Sequence, residues 1–460
     1  MKTIETELVV VGAGPGGHAA ALAAARRGVE TMLVDCGARL GGVCLNRGCI
    51  PSKAFLHATA LIEEAKQSGG RGISFDAPRI NLDRLREWKE SVVDALADGA
   101  RKVAGQQGVT VMRGRGYFES SERLRIETGE GQRYLAFEKA IIAVGSEALV
   151  PKAFDLGNPR VMTSREALHL GEVPERLLVI GGGYIGMELG TVYARLGSEV
   201  VVAEALESIL TGADADLVRP VRKAAEAAFR EIRTGAEVVR MATSGKQIEV
   251  TIKPKEGEQS TGKYDRVLVA AGRRPHTDHL GLENTKVRTD EKGFIEVDEQ
   301  QRSADPAICA IGDVVGEPML AHKATREGLI AVETVAGERL LPNGALLVPA
   351  VVYTDPELAW VGLTEEQAKE EGREVRIAKT PWSASGRAHT LDRTDGLTKF
   401  VVDPETERLM GVGIVGHNAG DLISEGVLAI EMGATAYDIA ASIHPHPTLS
   451  ETLMETAGKV

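Results

Sequence analysis

Two separate stretches of the chain repeat one pattern of hydrophobic and polar positions. In each, a short apolar run leads into a glycine-rich turn, then a segment with helical spacing, then a second apolar run that ends at an acid. The apolar runs cover residues 8–11 and 31–34 in the first stretch, and residues 177–180 and 200–203 in the second. Short continuous apolar runs are typical of buried parallel strands. The pattern therefore predicts two strand–turn–helix–strand units, the second helix ending near Leu196.

A third segment, "AICAIGDVVGEPMLAHKATREG", combines an apolar strand that ends at Gly312 and Asp313 with a helix that begins near Ala321. An acid at the carboxyl end of a parallel strand points into the ligand crevice of an α/β sheet. The alternative is an Asp that caps the following helix, and the residues alone favour that alternative.

The glycine spacing in both units is G-x-G-x-x-G. The first glycine makes the turn, the second lets the backbone approach a pyrophosphate, and the third lets helix and strand pack closely. The amino end of the helix offers unpaired N–H groups to the phosphates. Two such units predict two bound dinucleotides and electron transfer between them. The glycines are Gly12, Gly14 and Gly17 in the first unit, and Gly181, Gly183 and Gly186 in the second.

Each unit ends in an acid placed to accept hydrogen bonds from a ribose, Asp35 in the first and Glu204 in the second. A carboxylate at this position favours a free 2′-hydroxyl and repels a 2′-phosphate, which NADP sites usually bind with an Arg. The segment "AEALESIL" around Glu204 contains no Arg or Lys. The second unit is therefore predicted to bind NAD.

Length and charge narrow the class of protein. A chain of 460 residues suggests about three domains, and 43% hydrophobic residues are enough for large cores. The net charge of −12 argues against a nucleic-acid partner. The start of the chain does not resemble a signal peptide, and no apolar run is long enough to span a membrane. We therefore expect a cytoplasmic protein without a membrane partner.

Two of the four cysteines lie close together in "GGVCLNRGCIPSK", as Cys44 and Cys49. In a cytoplasmic chain such a pair is more often catalytic or metal-binding than a structural disulfide. Pro51 predicts the first turn of a helix, which places Cys49 near a helix amino end that lowers thiol pKa values. A zinc site would need further ligands, but Cys36 and Cys309 form no second close pair. We expect both of these to be small buried residues, and we expect no metal site.

Six motifs occur in one order: "GAGPGG", "GGVCLNRGCIPSK", "GGGYIGMELG", "AAGRRP", "AIGDVVGEPMLAHKA" and "HPHPTLSE". In these motifs the chain resembles the flavin-dependent pyridine nucleotide–disulfide oxidoreductases from Glu7 to about Glu455. The resemblance implies an α/β fold with two Rossmann-like dinucleotide-binding domains and a C-terminal α+β dimerisation domain. It implies an FAD domain in residues 1–145, an NAD domain in 146–272, a return to the FAD region in 273–344 and dimerisation in 345–460. The joins are expected near Ser146, Arg273 and Ala345.

The resemblance also assigns the chemistry of the cysteines. It implies that Cys44 and Cys49 form a redox-active disulfide beside the flavin, with Cys44 exchanging with substrate and Cys49 facing the flavin. It places Lys53 near the reactive edge of the flavin, paired with Glu188. From the residues alone, Lys53 would be an ordinary exposed lysine on a helix.

A second catalytic group is expected in "SIHPHPTLSETLMETAG". An imidazole titrates near neutral pH, and a carboxylate on its second nitrogen fixes its tautomer. The resemblance implies a base made by His446 and Glu451, rather than His444, that reaches the disulfide of the other subunit. A cis bond between His446 and Pro447 would fit the family. Pro445 departs from the alanine usual in relatives.

The remaining cofactor contacts are implied by the resemblance as a set. Tyr184 is a second departure from the expected pattern, and we expect its ring to cover the flavin where the nicotinamide binds, or else to pack without moving. The predicted FAD contacts are Gly12, Gly14, Gly17, Asp35, Lys53, Gly116, Asp313 and Ala321, and the predicted NAD contacts are Gly181, Gly183, Tyr184, Gly186, Glu204, Ala236 and Gly272.

Within the family the chain is most similar to homodimeric enzymes that oxidise dihydrolipoyl groups and reduce NAD⁺. The expected partner is a lipoyl-carrying protein of a 2-oxo acid dehydrogenase, a glycine cleavage system or a related lipoate-dependent system. Two alternatives remain open. One is a reductase of another disulfide, such as glutathione, and the other is a non-catalytic subunit that binds NAD(H) in a larger assembly.

Overall fold

The computed structural model of the chain describes residues 3–338 and 346–460. The helices are α1 (Pro15–Arg26), α2 (Gly42–Arg47), α3 (Cys49–Gln67), α4 (Leu82–Gln106), α5 (Ser164–Ala167), α6 (Tyr184–Leu196), α7 (Ala215–Ala228), α8 (Ala321–Val335), α9 (Glu365–Glu370), α10 (Gly386–Leu391), α11 (Ala419–Glu431), α12 (Ala436–Ala441) and α13 (Glu451–Ala457). The strands are β1 (Ile4–Val11), β2 (Thr31–Asp35), β3 (Thr110–Arg113), β4 (Arg115–Ser120), β5 (Arg123–Thr128), β6 (Gly131–Ile142), β7 (Ser146–Ala148), β8 (Val161–Met162), β9 (Arg176–Ile180), β10 (Glu199–Ala203), β11 (Glu231–Arg233), β12 (Ala236–Ser244), β13 (Gln247–Pro254), β14 (Ser260–Tyr264), β15 (Arg266–Val269), β16 (Arg273–Pro275), β17 (Ile308–Ala310), β18 (Ala350–Val352), β19 (Glu357–Gly362), β20 (Arg376–Pro381), β21 (Leu397–Val402) and β22 (Leu409–Gly416).

The first glycine-rich unit belongs to a sheet with the strand order β3-β2-β1-β6-β5-β4. Its central strands are parallel, β5 and β4 are antiparallel, and β17 joins β6 in parallel. Helices α1 and α8 pack on one another beside this sheet. A Cβ on Gly328 would lie 2.7 Å from the carbonyl oxygen of Gly16, so a larger residue would force the two helices apart. The predicted strands are confirmed, and β1 begins four residues early because its first half also pairs with β6.

The second unit forms an all-parallel sheet with the order β11-β10-β9-β15-β8. An antiparallel sheet of β12, β13 and β14 packs against it through a shared apolar cluster that includes Leu178 and Val250. Helix α6 ends at Leu196, where Gly197 adopts a φ of +113° that stops the helix. The predicted end of this helix is confirmed.

The C-terminal part is an antiparallel sheet with the order β18-β19-β22-β21-β20, covered by α11 and α13. Its core is built around the fully buried Trp382, whose indole N–H donates to Thr398. The two sheets that carry the glycine turns, with their parallel central strands, and this antiparallel sheet with its covering helices confirm the expected α/β class. Within residues 3–338 and 346–460, no helix combines the length and apolar character that crossing a membrane requires.

The chain passes between the first two sheets at a short antiparallel pair. Strand β7, beginning at Ser146, leaves the first sheet, and β16, beginning at Arg273, returns to it alongside. These strands begin at Ser146 and Arg273, near which two of the domain joins are expected, and the domain bounds stay predictions. The third expected join, near Ala345, lies outside the described residues.

Candidate active site

A cleft with about 990 Å³ of empty space opens where the two nucleotide-binding units meet the cysteine helices. The first glycine turn, the amino ends of α3 and α6 and the loop after β17 all contribute to its wall. Several predicted site residues therefore come together in one place. They are Gly14, Gly17, Cys44, Cys49, Lys53, Tyr184, Glu188, Asp313 and Ala321.

The two cysteines lie on consecutive helices, Cys44 within the six-residue α2 and Cys49 at the first residue of α3. Both are free thiols in the structure. The thiol of Cys44 hydrogen-bonds to Cys49 and lowers the pKa of Cys49 to about 7, helped by the charge of Lys53 and opposed by burial. The same contact, together with burial, raises the pKa of Cys44 far above its usual range. The pair therefore holds its proton on Cys44 and its negative charge on Cys49.

Lys53 is fixed by a buried acid on another element. Its Nζ atom lies 2.8 Å from Oε2 of Glu188, and the Glu188 side chain is only 3% exposed. The other carboxylate oxygen accepts a hydrogen bond of 3.0 Å from the backbone N–H of Tyr353. The Tyr353 ring lies under the ammonium, 4.4 Å from Nζ to the ring centre. A buried carboxylate requires such partners, so Lys53 is held in one position near Cys49.

The first glycine turn fits a bound dinucleotide. A Cβ on Gly12 would lie 2.3 Å from the carbonyl oxygen of Ala143, and one on Gly17 would lie 1.9 Å from that of Gly12. These two glycines therefore serve the tight packing of strand and helix. Gly14 has no atom within 4 Å of its Cβ position, and it lies at the amino end of α1. The space left at this turn suits a pyrophosphate.

A second recess, with about 470 Å³ of empty space, continues from this turn towards the acid at the end of β2. Gly12, Asp35, Cys36 and Gly116 line it. The Asp35 carboxylate accepts hydrogen bonds of 2.7 Å from Ala13 N and 2.6 Å from Gly37 N, so it is aimed at the turn. The recess and the main cleft meet at the glycine turn, and together they fit an extended dinucleotide such as FAD.

Asp313 lies on a short 3₁₀ turn directly after β17. Its carboxylate accepts a hydrogen bond from the Ser146 hydroxyl, whose oxygen in turn accepts one of 2.8 Å from Nε of Arg273. It does not cap the following helix, because α8 begins after Leu320 without any side-chain cap. The capping alternative is therefore wrong. Ala321 is the first residue of α8 and lines the cleft.

The second glycine turn repeats the geometry of the first. A Cβ on Gly181 would lie 2.4 Å from Ala270 O and one on Gly186 would lie 2.0 Å from Gly181 O, whereas Gly183 has open space beside it. Glu204 accepts hydrogen bonds of 2.6 Å from Gly182 N and 2.7 Å from Leu206 N, as Asp35 does in the first unit. These residues fit a second dinucleotide.

The two remaining predicted NAD contacts lie at the edges of this unit. Ala236 is buried and its N–H donates 2.8 Å to the carbonyl of Glu204, so this N–H is already paired within the protein. Gly272 has a φ of +123° and accepts a hydrogen bond of 3.0 Å from Leu149 N. A left-handed φ of this kind favours glycine at the bend into β16.

Tyr184 is the first residue of α6 and lines the main cleft. Its side chain is 39% exposed, and partial burial raises the pKa of Tyr184 to about 12, so the phenol stays neutral at physiological pH. Its ring stands between the second glycine turn and the cysteines. This position is compatible with either expectation for Tyr184, a movable cover or fixed packing.

The expected base forms a complete pair. Nδ1 of His446 lies 2.8 Å from Oε1 of Glu451, and Oε2 of Glu451 accepts 2.8 Å from Thr448 N. The Thr448 N–H and then His446 lower the pKa of the Glu451 carboxyl, which keeps it ionised. Nε2 of His446 is left free, and the side chain is 79% exposed. The bond to Pro447 is cis. Within one chain, His446 does not line the cleft that holds the cysteines.

Several features differ from the sequence interpretation or were not found by it. Cys36 was expected to be buried but is exposed, because it follows the last residue of β2 and borders the second recess; Cys309 is buried as expected. The described part of the chain contains no group of three or more metal-ligating side chains. The link from Ser146 to Asp313 was missed, and no local signal could reveal it.

Comparison with known proteins identifies the family of the chain. Residues 6–328 match the family model for pyridine nucleotide-disulphide oxidoreductases, and residues 348–457 match the dimerisation domain of that family. Dihydrolipoyl dehydrogenases from Vibrio parahaemolyticus and Geobacillus stearothermophilus are 44% and 45% identical to this chain. These matches cover 98% and 99% of this chain, and 95% and 96% of the relatives.

Solved structures show the same architecture. LpdA from Mycobacterium tuberculosis superposes with a TM-score of 0.91 at 25% identity, over 98% of this chain and 99% of the other. The HOCl-induced flavoprotein disulfide reductase RclA from Escherichia coli gives a TM-score of 0.87 at 27% identity, over 99% and 100%. The chain belongs to the pyridine nucleotide–disulphide oxidoreductase family.

Proposed function

We propose that the chain is an FAD-dependent enzyme that oxidises protein-bound dihydrolipoyl groups to lipoyl disulfide and reduces NAD⁺ to NADH. The observation that carries this proposal is the pair of thiols in hydrogen-bond contact, Cys44 and Cys49, beside the Lys53–Glu188 ion pair. Dihydrolipoyl dehydrogenases 44–45% identical over nearly the whole chain support the same activity. The fit of the two glycine turns supports FAD at the first and NAD at the second.

The protein residues perform the thiol chemistry in a fixed order. His446 takes a proton from the incoming dithiol, whose thiolate attacks the sulfur of Cys44 and releases Cys49 as a thiolate. The second substrate sulfur then attacks the substrate sulfur of the mixed disulfide, and the cyclic lipoyl disulfide leaves. The breaking bond returns its electron pair to Cys44, which takes the first proton back from His446, and His446 then holds the proton of the second substrate thiol. Substrate loses two electrons and the cysteine pair gains them. When bound, FAD and NAD⁺ supply the subsequent electron and hydride chemistry.

The charges around the cysteines suit this sequence. The depressed pKa of Cys49 makes it a good leaving group, and Lys53 stabilises the charge that forms on it. Cys44 is the weaker acid and therefore the better proton carrier. Glu451 holds His446 in the tautomer whose Nε2 accepts the substrate proton.

The active unit is proposed to be a homodimer. His446 is exposed and remote from the cleft of its own chain, and residues 348–457 match a dimerisation domain. In the dimer, His446 of one protomer serves the cysteines of the other. The proposed domains are residues 1–145 and 273–344 for FAD, 146–272 for NAD and 345–460 for dimerisation. The partner is a lipoyl carrier of a 2-oxo acid dehydrogenase, a glycine cleavage system or a related system.

The test is steady-state turnover by the purified holoenzyme. Dihydrolipoamide with NAD⁺ should yield NADH, and a purified dihydrolipoyl carrier protein should be oxidised with a higher kcat/KM than free dihydrolipoamide. Glutathione disulfide with NADPH is the matched reaction for the alternative reductase. Turnover with glutathione but none with dihydrolipoamide would contradict the proposal, and absence of any thiol turnover would favour a non-catalytic NAD(H)-binding subunit.

A further inference from the structure

A second histidine–carboxylate pair lies two residues before the base. Nε2 of His444 is 2.7 Å from Oε1 of Glu425, and Nδ1 of His444 is 3.0 Å from the carbonyl oxygen of Ser442. The His444 side chain is 7% exposed, in contrast to the 79% exposure of His446. This histidine therefore faces the protein interior, whereas His446 faces outward.

Both contacts of His444 are with hydrogen-bond acceptors. A carbonyl oxygen and a carboxylate can only accept, whereas a neutral imidazole donates from one nitrogen only. A neutral His444 would point a lone pair at one of these oxygens. The imidazolium form donates to both, so the geometry selects the charged state. Burial opposes this state, but the hydrogen bonds to Glu425 and Ser442 outweigh burial and raise the pKa of His444.

These two hydrogen bonds join three elements. Glu425 lies on α11, Ser442 follows the last residue of α12, and His444 begins the loop that carries the base. The far end of that loop is held by Glu451, the first residue of α13, through His446 and Thr448. The loop is therefore fixed at both ends. The charged groups that face His444 are Glu425 from α11 and Glu451 from α13.

We propose that His444, as an imidazolium, is a positioning residue that fixes the loop carrying His446 and balances the nearby carboxylates. This role rests on the proposed function, in which His446 is the base. Misplacing a reacting group by about 1 Å can cost on the order of 10²-fold in rate. Loss of the His444 contacts should therefore slow the step that His446 performs and leave other steps intact.

The test measures the rate at which dihydrolipoamide reduces the oxidised holoenzyme. The reaction is monitored by stopped-flow absorbance at a series of pH values. His444→Gln keeps one donor but removes the charge, and it leaves Glu425 unpaired. We expect this half-reaction to slow by roughly 10- to 100-fold. The midpoint of its pH profile should move upward, because an unpaired anion favours the protonated base. Adding Glu425→Gln to this variant removes the anion and should move the midpoint back.

Two controls separate this role from general damage. FAD content and flavin reduction by NADH should stay normal in His444→Gln, because neither uses the base. His389→Gln is the matched substitution, since His389 is an exposed histidine whose Nε2 contacts one carbonyl, that of Ser383 at 2.8 Å. It should change neither rate nor midpoint.

Glu425→Gln alone is the second variant. Its amide N–H can donate to Nε2 of a neutral His444 while Nδ1–H still donates to Ser442, so it should slow the half-reaction less than His444→Gln does. An unchanged pH midpoint in His444→Gln, or an equal loss in Glu425→Gln, would overturn the proposal. Absence of lipoamide turnover in the unmodified enzyme would instead contradict the proposed function.

Discussion

The Nζ atom of Lys53 lies 2.8 Å from Oε2 of Glu188, and this ion pair joins the helix that begins at Cys49 to the helix that begins at Tyr184. The contact connects residues 135 positions apart in sequence. It ties the cysteine helix to the second nucleotide-binding unit. The cysteines and the second glycine turn are therefore held against each other by a charge pair that is almost entirely buried on the Glu188 side.

Replacing Lys53 by Met should raise the pKa of Cys49 above about 7, because the Lys53 charge is one of the groups that lower it. The reduced enzyme should then lose thiolate absorbance at neutral pH, as measured by anaerobic titration. Lys66→Met is the matched control, since Lys66 lies on the same helix but is exposed and paired with Glu63. An unchanged thiolate titration in Lys53→Met would show that Lys53 does not act on Cys49.

Two-electron reduction should produce a long-wavelength band from the Cys49 thiolate beside the flavin. Since the pKa of Cys49 is lowered to about 7, the thiolate is present above that pH and the band should fade as pH falls through it. Cys49→Ser should abolish the band, whereas Cys309→Ala, at a buried cysteine that does not line the cleft, should retain it. Survival of the band in Cys49→Ser would contradict the assignment.

His446→Gln should slow dithiol oxidation by about 10²- to 10⁴-fold, the usual contribution of a positioned general base. FAD content and flavin reduction by NADH should change little. The control is His57→Gln, at an exposed histidine on the cysteine helix. A loss of less than roughly tenfold would mean that another group or water accepts the proton.

The kcat/KM for NADH should be much higher than that for NADPH, because the Glu204 carboxylate lies at the second glycine turn and repels a 2′-phosphate. Glu204→Gln should reduce this preference by roughly 10- to 100-fold, since hydrogen bonds to a charged group contribute about 1.5–3 kcal/mol. Glu207→Gln, an exposed acid paired with Lys255, is the control and should keep the preference. Comparable values for the two cofactors in the unmodified enzyme would refute the NAD assignment.

Tyr184→Ile tests whether the ring is a movable cover. Removing a cover should raise the rate at which the reduced enzyme reacts with oxygen, measured as NADH oxidase activity. It should also strengthen NAD binding slightly, because the ring no longer has to be displaced. Tyr184→Phe keeps the ring and should behave like the unmodified enzyme. If Tyr184→Ile alters neither oxygen reactivity nor nicotinamide affinity, the ring is fixed packing.

Local patterns were sufficient to predict both glycine turns and the strands beside them. Each turn is determined by residues that are close in sequence, as the contact of Gly17 with Gly12 shows. The acids Asp35 and Glu204 were found for the same reason, because each ends the second strand of its own unit. Such features follow from spacing and burial within about 30 residues.

Contacts between distant elements could not be predicted in this way. The Ser146–Asp313 hydrogen bond connects residues 167 positions apart, and it overrides the local preference of an Asp before a helix. Cys36 was expected to be a small buried residue, but it is exposed and lines a recess whose wall also includes Arg115 and His276, both distant in sequence. The pairing of Lys53 with Glu188 was expected from the family resemblance alone, since an exposed lysine is the ordinary outcome on a helix.

The insertion of one nucleotide-binding unit within the other has a consequence for biosynthesis. All strands of the second parallel sheet lie between Val161 and Val269, so this sheet is complete once that segment has left the ribosome. The first sheet is complete only after β17 has been synthesised, since this strand ends at Ala310 and pairs with β6. During translation, β6 of the first sheet therefore keeps an unpaired edge while the second sheet already has all its strands. The first sheet is the later of the two to become resistant to aggregation.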